Sequence, residues 1–380
     1  MPNSSLPPNV QARLEALTEQ FIRGVEQFLG YPCNARFDYR PLYPFLSYPL
    51  NNAGDPFIDT HNRLNTHDIE RQVVYFFAEL FHARREAIWG YVTGGGTEGN
   101  LYGLFLGREQ YPEGIVYYSE DSHYSIPKIL KLLRMRQRQI KSTASGEMDY
   151  GDLARALNGR RDAPAIVLAN IGTTMKGAVD DLERIHAVFE SLSLRDYHIH
   201  ADAAFHGMIL PFVDRPPVFD FQAGIDSIAV SGHKMLGAPV PCGVVLAKKV
   251  HVRRIARMVE YVGSLDSTIP GSRSGLTPLM LWYAIETLGR DGFRALTAHC
   301  LETAEYAVER FNGVGISAWR NPHSPIVVFP RMAEPVLRRW QIAVHAETAH
   351  LVTVGHVEKR HIDTFLEEIL NHESDHPGHP

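Results

Sequence analysis

Three short segments hold residues whose types and spacing could do chemistry. The first, Thr93-Gly94-Gly95-Gly96-Thr97-Glu98-Gly99-Asn100, sets Gly94, Gly96 and Gly99 in the spacing G-x-G-x-x-G, with Glu120 about twenty residues further on. Formally this is a dinucleotide fingerprint. Physically it is a run of close-approaching backbone amides suited to an anion such as a phosphate, or else a tight turn with no ligand. The second segment is His198-Ile199-His200-Ala201-Asp202-Ala203-Ala204. On a strand His198, His200 and Asp202 share one face. They read as metal ligands, as satisfied histidines of a half-buried strand, or as a lone carboxylate, Asp202, aimed at a cationic heterocycle, with small Ala204 leaving room for a flat ring. The third is Ser231-Gly232-His233-Lys234, directly after the apolar run SIAVS. Desolvation and cationic neighbours lower a lysine's pKa and leave a neutral amine able to form an imine. A lysine that simply reaches solvent is the ordinary alternative. Asp202, 32 residues upstream and also ending an apolar run, reverses those odds.

One cofactor accounts for all three segments. A lysine for an imine, a carboxylate for a pyridinium nitrogen and a glycine turn for a phosphate are what pyridoxal 5′-phosphate requires. A nicotinamide oxidoreductase would use the glycines and leave HADAA and SGHK without a role. A metallohydrolase would use the histidines and leave the glycines, so no metal is expected.

These segments must be positioned by regular elements. Short apolar runs at AIWGYV, GIVYY, AIVLAN, YHIHA, SIAVS and GVVLA alternate with helical stretches such as 125–137 and 180–192. Strands alternating with helices predict an α/β unit with a largely parallel sheet, whose ligands sit beyond the carboxyl ends of the strands. Leu14, Leu17, Phe21, Val25 and Phe28 predict an amphipathic helix over 11–28, and a second helix is expected from an N-cap at Asp68. After about residue 290 come a long helix, the short strands SPIVVF and HLVTV, and a last helix at 358–370. The expected division is an N-terminal helix and substrate-side loop over 1–55, a large domain over 56–290 and a smaller α+β domain over 291–380. The tail NHESDHPGHP reads as a disordered end rather than a metal site.

Composition narrows the class. With 38 basic and 43 acidic side chains, the net charge of −5 argues against a nucleic-acid-binding face. There is neither an apolar run of membrane-spanning length nor a signal pattern at the N-terminus. Cys33, Cys242 and Cys300 are odd in number and far apart, which cannot make a full disulfide framework. A cytoplasmic protein is expected.

The motifs TGGGTEGN, DSHYS, NIGTT, HADAA, SGHK and GSRSG, in this order, resemble the group II pyridoxal-phosphate-dependent amino-acid decarboxylases, in the compact histidine/serine branch. The resemblance runs over most of the chain, from FLGYP through LNNAGDPF to AWRN and VVFP. It implies a type I aminotransferase-like fold: a large domain with a mostly parallel seven-stranded sheet, a smaller C-terminal domain, and active sites at a homodimer interface. It implies Lys234 as the lysine bonded to the cofactor, Asp202 as partner of the ring nitrogen, His123 stacked on the ring near the substrate carboxylate, and Ala204 on the opposite ring face. Gly95, Gly96, Thr97, Ser231 and His233 would hold the phosphate, with Ser272 of GSRSG reaching it from the other subunit. Thr173 or Thr174 would approach the ring. In the LNNAGDPF loop Asn51, Asn52 and Asp55 are candidates for a polar substrate side chain, Asn52 foremost. The donor of a proton to the substrate's α carbon is unassigned, with Tyr261 one candidate. The implied reaction is decarboxylation of L-histidine, with L-serine or another small amino acid as the alternative.

Overall fold

Each of the six apolar runs forms a strand of one sheet, because each is bounded by turn residues and is apolar enough to be covered on both faces. In the computed structural model, which describes residues 6–259 and 264–375, these are β1 (Ile88–Thr93), β2 (Ile115–Ser119), β4 (Ala165–Asn170), β5 (Tyr197–Asp202), β6 (Ser227–Ser231) and β7 (Gly243–Lys248). A seventh, β3 (Arg136–Ile140), completes the sheet in the order β1-β7-β6-β5-β4-β2-β3. Only β7 runs against the others. β3 escapes sequence reading because RQRQI has neither an apolar run nor alternation. It sits on the sheet's edge, where four of its five residues face solvent.

The consequence for function lies in strand direction. Because β1, β2, β4, β5 and β6 share one sense, their carboxyl ends deliver five loops to a single edge of the sheet. Those loops carry the glycine turn, His123, Thr173, Asp202 and Lys234.

The rest of the chain closes over that edge. The strands β8 (Arg257–Val259) and β9 (Ser264–Asp266) form a small pair. Tyr261 lies between them, outside the described residues. A second sheet, β10-β12-β11, is built antiparallel from β10 (Ile326–Pro330), β11 (Ala343–His345) and β12 (Thr348–Val352). The long helix Leu276–Gly313 leaves helical geometry at Gly289 (φ 59°, ψ −177°), immediately before the expected division at 290/291. One apolar core runs from the large sheet through this helix into β10 and β12.

Several local expectations are corrected. The second helix is His67–Leu80 with Thr66 at its N-cap, so Asp68 lies in its first turn. The helix expected over 125–137 stops at Leu132, because Arg134 turns to φ +53° and the chain enters β3. The last helix, Lys359–Asp375, takes up the first half of the tail that read as disordered; His376 and His379 lie outside the described residues. The helix Pro8–Glu26 forms, but none of its residues is buried, and Phe21 and Ile22 are more than 60% exposed at 62% and 64%. The three cysteines are free. No helix among the described residues is long and apolar enough to cross a membrane.

Candidate active site

A cavity of about 290 Å³ opens at the shared strand edge. It is lined by Gly96, Thr97, His123, Thr173, Asp202, Ala204, Ser231, His233 and Lys234, so nine of the residues singled out in the sequence meet there. The loop Gly30–Pro32 and residues Ile326, Ala343, His350 and Val352 of the second sheet form another part of its wall.

Lys234 follows β6 into the cavity. Burial lowers its pKa, and the charge of Asp202 only partly opposes this. Its amine has no hydrogen bond or ion pair among the described residues. Asp202 ends β5 with Oδ2 accepting from Asn100 Nδ2 (2.6 Å) and Oδ1 accepting from the Ala204 amide (3.2 Å). His123 stands on the loop after β2. The Ser125 amide donates to its Nδ1 (3.3 Å), and Ser125 Oγ lies 2.7 Å from the same atom. A bonded lone pair at Nδ1 places the ring proton on Nε2 while burial keeps the imidazole below its ordinary pKa.

The glycine turn does less than its fingerprint suggests, and does it more locally. Gly94 donates its amide to Glu98 Oε2 (2.8 Å), and Gly95 donates to Thr93 Oγ1 (3.3 Å) as N-cap of the helix Gly96–Gln110. The amides of Gly96 and Thr97, in the helix's first turn, have no intrahelical acceptor, and both residues line the cavity. A Cβ on Gly96 would lie 2.6 Å from Ser231 Oγ, so only glycine lets this helix end meet the end of β6. Those amides, the Ser231 hydroxyl and the His233 ring, whose Nδ1 donates to the Cys242 carbonyl (2.9 Å), form a cradle for an anion.

Other expectations separate from the cavity. Asn52 is fully buried outside the cavity: its Oδ1 accepts from the Thr66 amide (2.8 Å) and its Nδ2 donates to Glu70 Oε2 (2.7 Å). Ser272 is exposed outside the cavity and accepts from Asn51 Nδ2 (3.1 Å). Arg273 of the same segment is paired with buried Glu70. Thr173 is buried with its hydroxyl accepting from the Ala178 amide (3.0 Å), and Thr174 beside it is exposed on the cavity rim. Glu120 lies outside the cavity wall with Oε2 accepting from the Ser142 amide (3.3 Å), which removes the carboxylate a dinucleotide reading needs. His198, His200 and Asp202 share no ligand position, because both nitrogens of His200 are taken by Ser227 and Asn100. Sequence reading missed Asn100, Tyr31 and His350 as cavity residues. Asn100 was legible in principle, one turn past Gly96 on the same helix. His350 was not, since it arrives from the second sheet.

The chemistry of the donor set fits pyridoxal phosphate. An unpartnered, desolvated amine, a carboxylate held in place by two donors, and free amides at a helix start line one cavity in the arrangement the cofactor's aldehyde, ring nitrogen and phosphate require.

Comparison with known proteins agrees. Residues 57–329 match the family model of the pyridoxal-dependent decarboxylase conserved domain. The histidine decarboxylase of Acinetobacter baumannii (strain ACICU) is 46% identical over 368 residues, 96% of this chain and 96% of that protein. The histidine decarboxylase of Mesorhizobium japonicum is 45% identical over 366 residues, covering 96% of this chain and 99% of its own length. Among solved structures, L-methionine decarboxylase from Streptomyces sp.590 superposes with a TM-score of 0.88 at 25% identity, over 98% of this chain and 96% of its own.

Proposed function

The chain belongs to the pyridoxal-dependent decarboxylases, and within that family we propose that it converts L-histidine to histamine and carbon dioxide. The observation that carries the reading is the single cavity holding Lys234, Asp202, His123 and the Gly96–Thr97 helix start. Identity of 45–46% to histidine decarboxylases along 96% of the chain supports the substrate.

Pyridoxal phosphate, when bound, supplies an electron-accepting ring that stabilises charge at the substrate's α carbon. Lys234 would hold the cofactor covalently through Nζ. Its low-lying pKa leaves the amine uncharged more often than that of a surface lysine, as bond formation at nitrogen requires. Asp202 would hold a proton on the ring nitrogen. Gly96, Thr97, Ser231 and His233 would hold the phosphate, and Ala204 and His123 would confine the two ring faces. His123 also orients the substrate: with Nδ1 tied to Ser125, its Nε2–H is the donor available to the carboxylate. Fixing that carboxylate out of the ring plane is orientation catalysis. In the overall reaction the bond from Cα to the carboxylate carbon breaks and one proton from solvent takes its place.

We infer further that the enzyme works as a homodimer. Two features support this: the N-terminal helix leaves its apolar side chains uncovered, and Ser272 is exposed outside its own chain's cavity. Mixing inactive Lys234→Ala chains with inactive Ser272→Asp chains should restore one working site per mixed dimer, and a fully active monomer would refute it.

The substrate is tested with a panel of amino acids scored for carbon dioxide and amine product. Histidine should give the highest kcat/KM, and an unbuffered assay should turn alkaline as the proton is consumed. A higher kcat/KM for serine or an aromatic amino acid would overturn the substrate, and keto-acid products would overturn the reaction type.

A further inference from the structure

Behind Asp202 runs a chain of buried side chains reaching back into the sheet. Asn100 Nδ2 donates to Asp202 Oδ2 at 2.6 Å, His200 Nε2 lies 3.0 Å from Asn100 Oδ1, and Ser227 Oγ lies 2.8 Å from His200 Nδ1. All four residues are buried, His200 and Ser227 completely. Only one assignment of protons satisfies every link. An ionised carboxylate only accepts, so Asn100 turns its NH₂ to Asp202 and its carbonyl to His200. That carbonyl needs a donor, which puts the imidazole proton on Nε2. Burial holds the ring neutral, with its pKa pushed down to about 3, so Nδ1 is a bare lone pair and accepts from the Ser227 hydroxyl.

We propose that Asn100, His200 and Ser227 are positioning residues, a series of donors each directed toward Asp202, which fixes that carboxylate's orientation toward the cavity. This rests on the reading of Asp202 as partner of the cofactor's ring nitrogen. The polarity of the series matters: every hydrogen points at Asp202, and the carboxylate's own proton-accepting capacity is left to what enters the cavity. Its second oxygen is held by the Ala204 amide, so neither oxygen can swing away without losing a bond.

The sequence is built to allow this contact. His200 and Asp202 lie two residues apart on β5 and share a face. The helix Gly96–Gln110 crosses that face, and a Cβ on Gly103 would fall 2.0 Å from His200 Nδ1. Glycine at 103 lets the helix come close enough for Asn100, one turn earlier, to bridge the ring and the carboxylate. The TEGN segment therefore contributes a residue to the cofactor's ring end as well as its phosphate end.

The test uses the holoenzyme and reads more than turnover. With ¹⁵N-labelled histidine, His200 should show the Nε2–H neutral form unchanged from pH 5.5 to 8.5. Asn100→Leu, close in size but without a donor, should lower kcat at least tenfold while KM for histidine stays within about twofold. It should also weaken cofactor binding about tenfold and shift the pH midpoint of the bound cofactor's visible band. His200→Gln can still donate to Asn100 and accept from Ser227, so it should retain most of the band's behaviour, whereas His200→Phe should lose it. Should either buried variant fail to fold, Ser227→Ala removes only the far hydroxyl and should move the same readouts in the same direction by about two- to fivefold. An Nδ1–H tautomer, or Asn100→Leu and Ser227→Ala enzymes that lose thermal stability alone, would overturn the proposal. Asp202→Ala separates the two readings. If that variant binds cofactor and turns over normally, the role of Asp202 itself is wrong; if it fails while Asn100→Leu is normal, only the donor series is wrong.

Discussion

Asp202 and Asp226 stand at opposite ends of the same pair of strands and are equally buried, each 7% exposed, yet the chain treats them differently. Asp226 lies at the amino end of β6. It accepts from Lys248 Nζ (2.9 Å), from the Ile199 amide (2.9 Å) and from His251 Nε2 (3.2 Å), with His198 3.9 Å away. Burial pushes its pKa up, but the bond to His251 and the neighbouring His198 and Lys248 outweigh burial and pull it far below the carboxylate range. Three of these groups offer atoms within 4.8 Å of one another, as metal ligands would, but the Lys248 ammonium already fills the cationic position. Asp202 at the carboxyl end has neutral donors and no ion pair among the described residues, while Lys234 nearby is likewise unpaired. A charge compensated within the chain is structural. A carboxylate and an amine left uncompensated beside one cavity are held for something that enters it.

The sharpest break of this comparison is Lys234→Ala. Activity should fall by roughly 10³-fold or more, above the ~10² lower bound for a single proton-transfer group. The borohydride-reducible cofactor adduct on residue 234 should vanish, and the melting temperature of the apoenzyme should hardly move, because the amine makes no bond. An adduct mapped by mass spectrometry to another lysine would refute the assignment.

Exchanging the two carboxylates for alanine should give opposite phenotypes. Asp202→Ala should cost roughly 10²-fold or more in kcat with little loss of apoenzyme stability. Asp226→Ala should lower unfolding free energy by about 2 kcal/mol, since Lys248 is partly exposed and can turn to water. The folded fraction of the latter should keep kcat/KM within twofold. Urea titrations paired with turnover assays decide it, and matching losses in both variants would erase the distinction.

Acid should act on the buried imidazoles. Burial lowers the pKa of His198 to about 4 and of His200 to about 3, against an ordinary value near 6.5. Their folded-state values are depressed, so the stabilisation is complete above pH 6.5 and is lost as pH falls toward those values, where only the unfolded chain takes up protons. The loss is about 1.4 kcal/mol per pH unit for each ring. Unfolding midpoints in urea should be flat from pH 8 to 7 and fall between pH 6.5 and 5. His198→Gln should make that slope shallower; an unchanged slope would mean His198 is protonated in the fold.

The smallest effect concerns Asn52. Asn52→Ala should remove about 1–2 kcal/mol of stability through the bonds to Thr66 and Glu70, with KM for histidine unchanged. A raised KM at constant stability would return Asn52 to the substrate side.

What could be read from the chain alone follows from the range of the signals. SIAVS and AIVLAN announce strands because burial on both faces makes them continuously apolar, and the residue after each is then placed by strand direction. RQRQI carries no such signal, since an edge strand owes its place to pairing with β2. Lys234 and Asp202 stood out because their types are unusual beyond a buried run. Asn100 is an ordinary residue type on a helix, and only its 2.6 Å contact with Asp202 marks it. Asn52 misled because a polar loop residue looks available until its partners are known, and those partners lie 14 and 18 positions away.

His350 gives the cavity a history as well as a shape. Its two ring nitrogens lie 3.0 Å from the Met175 carbonyl and 3.1 Å from the Gly30 carbonyl, joining segments 175 and 320 positions away in the chain. Contacts so distant along the chain form late, after the entropy of closing long loops has been overcome. During synthesis the parallel sheet is complete by residue 248, but the wall supplied by His350 and Val352 is still about a hundred residues from being made. Cofactor capture is therefore a report that the last quarter of the chain has docked. A chain stopped just before β12 should retain the Lys234 loop and still fail to retain pyridoxal phosphate on gel filtration.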